Sequence, residues 1–287
     1  MNPFDPHQVR RAFGRAAKTY TRNAALQRKI EARLIERLEY FSGKPVRVLD
    51  VGCGPGHGSA LLRKRFRSAQ VIALDLALPM LRQVRPGWRR PLGRVCADAR
   101  ALPLPEASVD VMFSNLCIQW IDDLPMLFAE FRRVLKPGGY LAFSTFGPDT
   151  LHELRAAWAA ADSAPHVSAF AHIGQVGDAL IAAGFRDPVL DTEHFTLDYA
   201  VAADLMRELK AIGATNADAQ RTRGLTGKAH FRRMLSAYEG FRRDGQLPAT
   251  YEVICAHAFG PDSGQPRRTA GGEIATFSID KLRGSRR

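Results

Sequence analysis

A doubly wound α/β fold with a mostly parallel sheet of seven strands is what the sequence predicts, on three observations. Seven short apolar, β-branched runs punctuate the chain; helical patterns alternate with them; and a glycine-rich turn closes the first run. The runs are PVRVLDV (45–51), QVIALD (70–75), RVCAD (94–98), VDVMFSN (109–115), YLAFSTF (140–146), DTEHFTLDY (191–199) and TYEVICAHAF (250–259). Helical segments at 57–66 and from about 124 to 135 lie among them. Strands that alternate with helices form right-handed βαβ units, which set the strands parallel and cover both faces of the sheet.

Two helices precede the first strand, the first marked by Val9, Phe13 and Tyr20 and the second by Leu26, Ile30, Leu34 and Leu38. The second half carries further helical patterns at 149–161, 174–183, 200–212 and 228–242. Two of these stop at Gly184 and Gly213, the residue type that ends helices most readily. The late strands complete the sheet, so the later helices are expected to form a cap inserted into one domain. The expected organisation is N-terminal helices over 1–44, an α/β core over 45–148, a helical cap with the last strands over 149–260, and a poorly ordered basic tail over 261–287.

Composition narrows the function classes. Among 287 residues, 46% hydrophobic and 24% charged is the balance of a globular chain rather than a disordered one. No apolar run is long enough to span a bilayer, and the start MNPFDPHQVRRAFG has no signal-like segment, so a cytoplasmic protein is expected. Cys53, Cys96, Cys117 and Cys255 form no CxxC pair and the eight histidines show no metal-ligand spacing, so neither zinc nor disulfides are expected. The net charge of +12 favours encounters with polyanions or acidic proteins. A nucleic-acid-binding module is one reading of that charge, but no RNA-recognition signature or aromatic-rich basic stripe accompanies it.

The most informative segment is VLDVGCGPGHG (48–58), which follows a buried-type strand and opens a helix. Gly52, Gly54 and Gly56 let the backbone pass close to a ligand, where a Cβ would collide with it. His57 stands where a dinucleotide fingerprint has its third glycine, so a pyrophosphate is not the expected ligand. Asp50 brings negative charge to a helix N-terminus that an anion would occupy, and suits a cationic amino-acid ligand instead.

This turn resembles that of the class I, Rossmann-like S-adenosylmethionine-dependent methyltransferases, and the later features come in that family's order. The resemblance implies that Asp75, followed by Leu76, holds the ribose hydroxyls, for which a carboxylate is a ready acceptor. It implies that Asp98 and Ala99 meet the adenine edge, and that Asn115 and Leu116 face the methionine part. A closer resemblance, over residues 7–259, is to the malonyl-acyl carrier protein O-methyltransferases of biotin synthesis. It rests on AFGRAAKTY (12–20) with Leu26-Gln27, SNLCIQW (114–120), LKAIGAT (209–215), LTGK (225–228) and LPATY (247–251).

That family methylates the free carboxylate of a malonyl thioester, on a carrier protein's phosphopantetheine or on coenzyme A. With the charge gone, elongation enzymes with apolar pockets accept the product. The resemblance places Tyr20 over the cofactor, Gln119 and Trp120 at the transfer face, and Lys210 with Thr215 on the acyl carboxylate. Core packing is the competing reading for Tyr20 and Trp120, and a solvated helix face for Lys210. An acidic carrier is expected to dock on arginines such as Arg221, Arg223, Arg232, Arg233, Arg242 and Arg243. FGPDTLHELR (146–155), PHVSAF (165–170) and LPATY are also similar to the mitochondrial complex I assembly factor, a methyltransferase-fold protein associated with arginine hydroxylation. The FGRAAKTY block argues against that alternative.

Overall fold

The structure is a computed structural model that describes residues 4–85, 92–221, 224 and 226–262, with the strand backbone at 267–269 and 272–274. Helix α1 (Pro6–Ala16) starts at Asp5, whose Oδ1 accepts the His7 and Gln8 backbone N–H groups at 3.0 and 3.1 Å, with proline just inside the start. A single turn, α2 (Tyr20–Asn23), precedes α3 (Ala25–Glu36). Leu26, Ile30 and Leu34 recur every fourth residue and bury one face of α3.

The α/β core then runs β1 (Arg47–Val51), α4 (His57–Arg65), β2 (Gln70–Asp75), α5 (Leu78–Leu81), β3 (Gly93–Cys96), β4 (Val109–Asn115), α6 (Leu124–Val134) and β5 (Leu135–Phe146). After it come α7 (His152–Ala159), α8 (Ile173–Ala182), β6 (Arg186–Tyr199), α9 (Ala202–Ala211), α10 (Lys228–Glu239) and β7 (Leu247–Phe259).

The seven strands form one sheet in the order β3-β2-β1-β4-β5-β7-β6, with β7 antiparallel to both neighbours and the rest parallel. The expected fold class is therefore the observed one. The chain leaves β1 toward one edge and returns to β4 beside it before building the other half. The carboxyl ends of β1 and β4 thus flank the crevice where open α/β sheets bind ligands. Ser114 Oγ donates to the Val51 carbonyl at 3.0 Å and ties those two ends together.

Both faces of the sheet are buried. On one, Met112, Leu141 and Phe143 pack with Phe128 and Phe131 of α6; on the other, Phe113 and Tyr140 pack with Leu34, Leu38 and Leu62. This two-sided burial explains why the parallel strands read as continuous apolar runs.

Two differences from the sequence reading have physical causes. Strands β5, β6 and β7 begin earlier than expected, because polar residues and turn formers join them. The register along β4 steps from Val109↔Leu135 to Val111↔Tyr140, which absorbs the Lys136-Pro137-Gly138-Gly139 turn as an irregularity. Helix α8 also does not sit with the other late helices: Val176, Ala179 and Leu180 join the core cluster beside α6. Leu154 and Trp158 of α7, Leu205 of α9, and Met234 and Tyr238 of α10 form a separate cluster over β7 with Leu247, Tyr251 and Val253. The expected tail lies largely outside the described residues, apart from a short antiparallel pair, Arg267–Thr269 with Gly272–Ile274.

Candidate active site

The turn after β1 places Gly52, Gly54 and Gly56 in left-handed backbone, at φ +70°, +53° and +87°. Their reasons differ. A Cβ on Gly52 would lie 2.3 Å from Cys117 Sγ, and one on Gly56 would lie 2.9 Å from the Val84 methyls, so these two let the turn pack on itself. At Gly54 the nearest atom would be Tyr20 Cε1, 3.9 Å away across open space. Gly54 alone of the three leaves the space for a Cβ open, while Gly52 and Gly56 are also required by the packing of the turn.

Asp75 ends β2 and accepts the Gly54 N–H on Oδ2 at 2.9 Å and the Ala77 N–H on Oδ1 at 2.7 Å. Burial pushes its carboxyl up to about 6 despite those two donors. Asp50, near the end of β1, is 2% exposed and accepts a 2.5 Å hydrogen bond from Ser59 Oγ. Burial pushes it up to about 7, the Ser59 hydrogen bond opposes, and the charges of Glu31 and Asp75 push further. Glu31 of α3 is also raised by burial, against its contact with His57 at the start of α4. Among the described residues no lysine or arginine forms an ion pair with Asp50 or Asp75.

Asn115 ends β4 and Leu116 follows it. Ser144 Oγ donates to Asn115 Oδ1 at 2.8 Å and accepts the Leu116 N–H at 3.0 Å, while Asn115 Nδ2 donates to the Gln27 carbonyl at 3.1 Å. Leu116 is held at φ +48°, a strained conformation for a leucine that places the residue between the two principal clefts.

Each of the two clefts has a volume of about 100 Å³. Gly52, Gly54, Asp75, Leu76, Asp98 and Ala99 line the first, together with Asn115 and Leu116. Its roof is Phe4, Pro6, Val9 and Phe13 from the N-terminal segment. Asp50 lines a smaller adjoining cleft with Glu31 and His57, and Gly56 lines none of the three.

Asp98, expected at the adenine edge, lines the first cleft with its carboxylate already engaged. Arg100 grips it with Nε at 3.0 Å from Oδ1 and a terminal nitrogen at 2.6 Å from Oδ2. Against the upward push of burial, that side chain and the Arg100 backbone N–H hold Asp98 below the usual carboxylate range.

Tyr20, Gln119, Trp120 and Thr215 all line the second cleft. Tyr20, Phe13, Leu116 and Trp120 line both clefts and form the wall between them. Burial pushes the Tyr20 phenol up, and nearby Asp75 and Glu31 add to this, so it stays neutral. Trp120 is fixed by edge contacts with Phe13 and Phe4, whose ring centroids lie 5.3 and 5.8 Å away. Thr215 Oγ1 and Gln119 Oε1 are buried without a hydrogen-bond partner.

Lys210 corrects the sequence reading: it is exposed and lines neither cleft. Leu209 of α9, one residue earlier, and Ile212, just past the helix end, line the cleft instead, and one step along a helix turns the side chain by roughly 100°.

The roof residues Phe4 and Pro6, the Glu31–His57 contact, and His166 on the wall of the second cleft escaped the sequence reading. Each depends on packing between segments far apart in the chain. Nor did spacing single out Asp149, His194 and Glu252, whose ligand atoms lie within 4.8 Å of one another beside the middle of β7. There Glu252 Oε2 accepts the Asp149 N–H at 2.8 Å and braces the turn after β5.

Residues 49–143 match the family model for a methyltransferase domain. The chain is 51% identical to the malonyl-acyl carrier protein O-methyltransferase of Xylella fastidiosa, over 97% of this chain and 96% of that protein. It is 50% identical to that of Methylovorus sp., over 90% of each. The chain belongs to the malonyl-acyl carrier protein O-methyltransferase family. Among solved structures, a putative methyltransferase from Bacillus halodurans superposes with a TM-score of 0.57 at 19% identity, over 80% of this chain and 98% of that one, a likeness of fold. In a family of methyltransferases the donor set has a natural occupant. Two cation-free carboxylates, a bare glycine backbone at Gly54 and an apolar roof fit S-adenosylmethionine, which carries a sulfonium, an ammonium, a ribose diol and a flat base.

Proposed function

We propose that this protein transfers a methyl group from S-adenosylmethionine to the free carboxylate of a malonyl thioester borne by acyl carrier protein or coenzyme A, in the cytoplasm and on the route to biotin. The observation that carries the reading is the wall of Tyr20, Leu116 and Trp120 shared by the two clefts. A group bound in one meets a group bound in the other there. S-adenosylmethionine supplies an electrophilic methyl on a positively charged sulfur when bound.

The remaining work falls to this chain's own residues. Asp75 accepts the two ribose hydroxyls, and Ala99 with Leu76 borders the base. Asp50 and Glu31 supply negative charge to the amino-acid end. Leu116 and Asn115, locked by Ser144, hold the backbone at the crossing point. The N-terminal helices and the cluster of α7, α9 and α10 cover the site and exclude water, which strengthens every electrostatic contact inside.

No general base is required. An ordinary carboxylate has a pKa of about 4 and is ionised at neutral pH, so alignment rather than proton removal is the catalytic task. Orientation of two bound reactants contributes roughly 7–11 kcal/mol. The arginine-hydroxylation alternative gives way to the family, whose members found here are named as O-methyltransferases.

The acidic carrier docks on basic surface. Several arginines expected to serve are already engaged: Arg221 with Asp5 at 3.2 Å, Arg242 with Glu239 at 2.7 Å, and Arg233 with the Ala161 carbonyl at 3.1 Å. Arg223 lies outside the described residues. Arg10 and Arg15 of α1 and Arg82 beyond α5 are exposed, line one shallow groove and make no ion pair among the described residues. They offer the freer charge.

The test is to incubate the protein with labelled methyl donor and malonyl, acetyl and succinyl carrier thioesters. A base-labile ester on the malonyl thioester alone, matched by equimolar demethylated cofactor, is expected. Label on RNA, or label nowhere, refutes the reading.

A further inference from the structure

Carboxylate recognition in the second cleft has to come from somewhere other than Lys210, and among the described residues no lysine or arginine lines that cleft. Its ionisable cationic candidate is His166, on the loop between α7 and α8. We propose that His166 is the residue that recognises the terminal carboxylate of the acyl substrate, with the Thr215 hydroxyl as the second donor. This rests on the proposed function and assigns that function its specificity.

Four observations support the assignment. His166 is not a loose surface side chain: its imidazole lies flat on Trp158 with ring centroids 3.7 Å apart and planes 8° from parallel, and it is 15% exposed. Its Nε2 donates to Asp162 Oδ1 at 2.9 Å, and that same oxygen accepts the Ala164 N–H at 3.0 Å. Asp162 therefore fixes ring orientation and tautomer, as carboxylates do behind functional histidines. With Nε2 committed to Asp162, Nδ1 is left to donate to a ligand carboxylate when the ring carries both protons.

The Thr215 hydroxyl is buried in the same cleft without a partner, a state that costs about 1–3 kcal/mol unless a ligand satisfies it. The two donors are also mechanically joined. Asn216, next to Thr215, donates from Nδ2 to the carbonyl of Pro165, next to His166, at 2.6 Å. Gln119 completes the arrangement differently. One N–H of its Nε2 donates to the Leu116 carbonyl at 2.8 Å, and its unpartnered Oε1 presents an acceptor, which suits an amide N–H of a pantetheine arm and not a carboxylate.

An acetyl thioester lacks the charge to engage His166, and a succinyl thioester carries it one methylene too far. The site thus reads the presence and the distance of the second carboxylate.

The experiment uses the full chain. His166→Asn, His166→Gln and Thr215→Val are assayed with malonyl-acyl carrier protein for KM and kcat separately, and for affinity toward S-adenosylhomocysteine by calorimetry. The His166 variants are expected to raise KM at least tenfold with kcat within threefold and homocysteine-nucleoside affinity unchanged. Thr215→Val should raise KM several-fold. KM within twofold of the parent in both folded His166 variants overturns the assignment. Should those variants not fold, Thr215→Val decides, since its hydroxyl holds nothing in the protein: an unchanged KM again overturns it. If the parent itself forms no malonyl ester, the underlying function fails instead, so the two failures are distinguishable.

Discussion

Replacing Asp50 by asparagine should make the ligand-free protein more stable and the enzyme worse. Asp50 is almost fully buried, and burial pushes its carboxyl up to about 7 from an ordinary 3.8. Below pH 3.8 the carboxyl is protonated in both the folded and unfolded chain and costs nothing. As pH rises past 3.8 the unfolded chain releases its proton while the folded chain keeps it, so stability falls until about pH 7 and is then level. The gap between 3.8 and about 7 corresponds to roughly 4 kcal/mol.

Asparagine keeps the shape and can still accept from Ser59, but carries no charge to bury. Its advantage over the parent should therefore grow by about 2–3 kcal/mol between pH 5 and pH 8. Urea unfolding at those two pH values, without ligand, measures it. Affinity for S-adenosylmethionine should fall at least tenfold in the same variant, because the negative charge that Asp50 supplies to the amino-acid end is gone. An asparagine variant less stable than the parent at pH 8, or one whose advantage is equal at both pH values, would show that Asp50 is not a stored electrostatic cost.

The other expectations are more compact. Lys210→Ala should leave kcat and KM within twofold, since the side chain is exposed and outside both clefts; steady-state kinetics checks it. Gly52→Ala should destabilise by about 2 kcal/mol or more and weaken cofactor binding, because it combines a left-handed backbone with a Cβ 2.3 Å from Cys117 Sγ. Thermal unfolding and calorimetry measure the two effects. Phe128→Ala, at a fully buried position among Phe131, Phe143 and Phe185, should cost about 3–5 kcal/mol while leaving the activity of the folded fraction intact. Raising ionic strength should raise KM for the carrier-bound substrate but not for a malonyl-pantetheine fragment, and Arg10→Glu with Arg15→Glu should do the same at low salt.

What the sequence made legible follows from which interactions are local. Strands β2 and β4 are read to the residue because both their faces are largely buried and each carries an apolar run of three or more residues at its centre. The glycine turn, Asp75, Asp98 and Asn115 are legible because each stands at a fixed place relative to a strand end, and a parallel sheet brings strand ends together. Strand β6 is only half legible, since its polar and apolar residues mix at an edge. The roles of Gly52 and Gly56 are hidden because Cys117 and Val84, the neighbours that exclude a Cβ, are far away in sequence. Lys210 misleads because a helix position one residue off the cleft-facing stripe looks the same in a string of letters. His166 is invisible as a site because its meaning comes from Asp162, Trp158 and the Thr215 loop at once, a convergence that spacing does not encode.

The long edge strand β6 has a consequence for how the molecule behaves in company. An outer strand of fourteen residues offers a row of unpaired amides that another chain can extend. Here Asp187 is forced to φ +49° beside Pro188, the pairing with β7 skips between Arg186 and Val189, and Asp191, Glu193, His194 and Asp198 populate the remainder. A kink at one end and charges along the rest leave no flat, neutral stretch for a stranger to zip onto. The opposite edge, β3, is four residues long. Concentrated solutions of the folded protein should consequently resist fibril-type stacking, and it is the partly unfolded chain, with β6 peeled from β7, that is at risk.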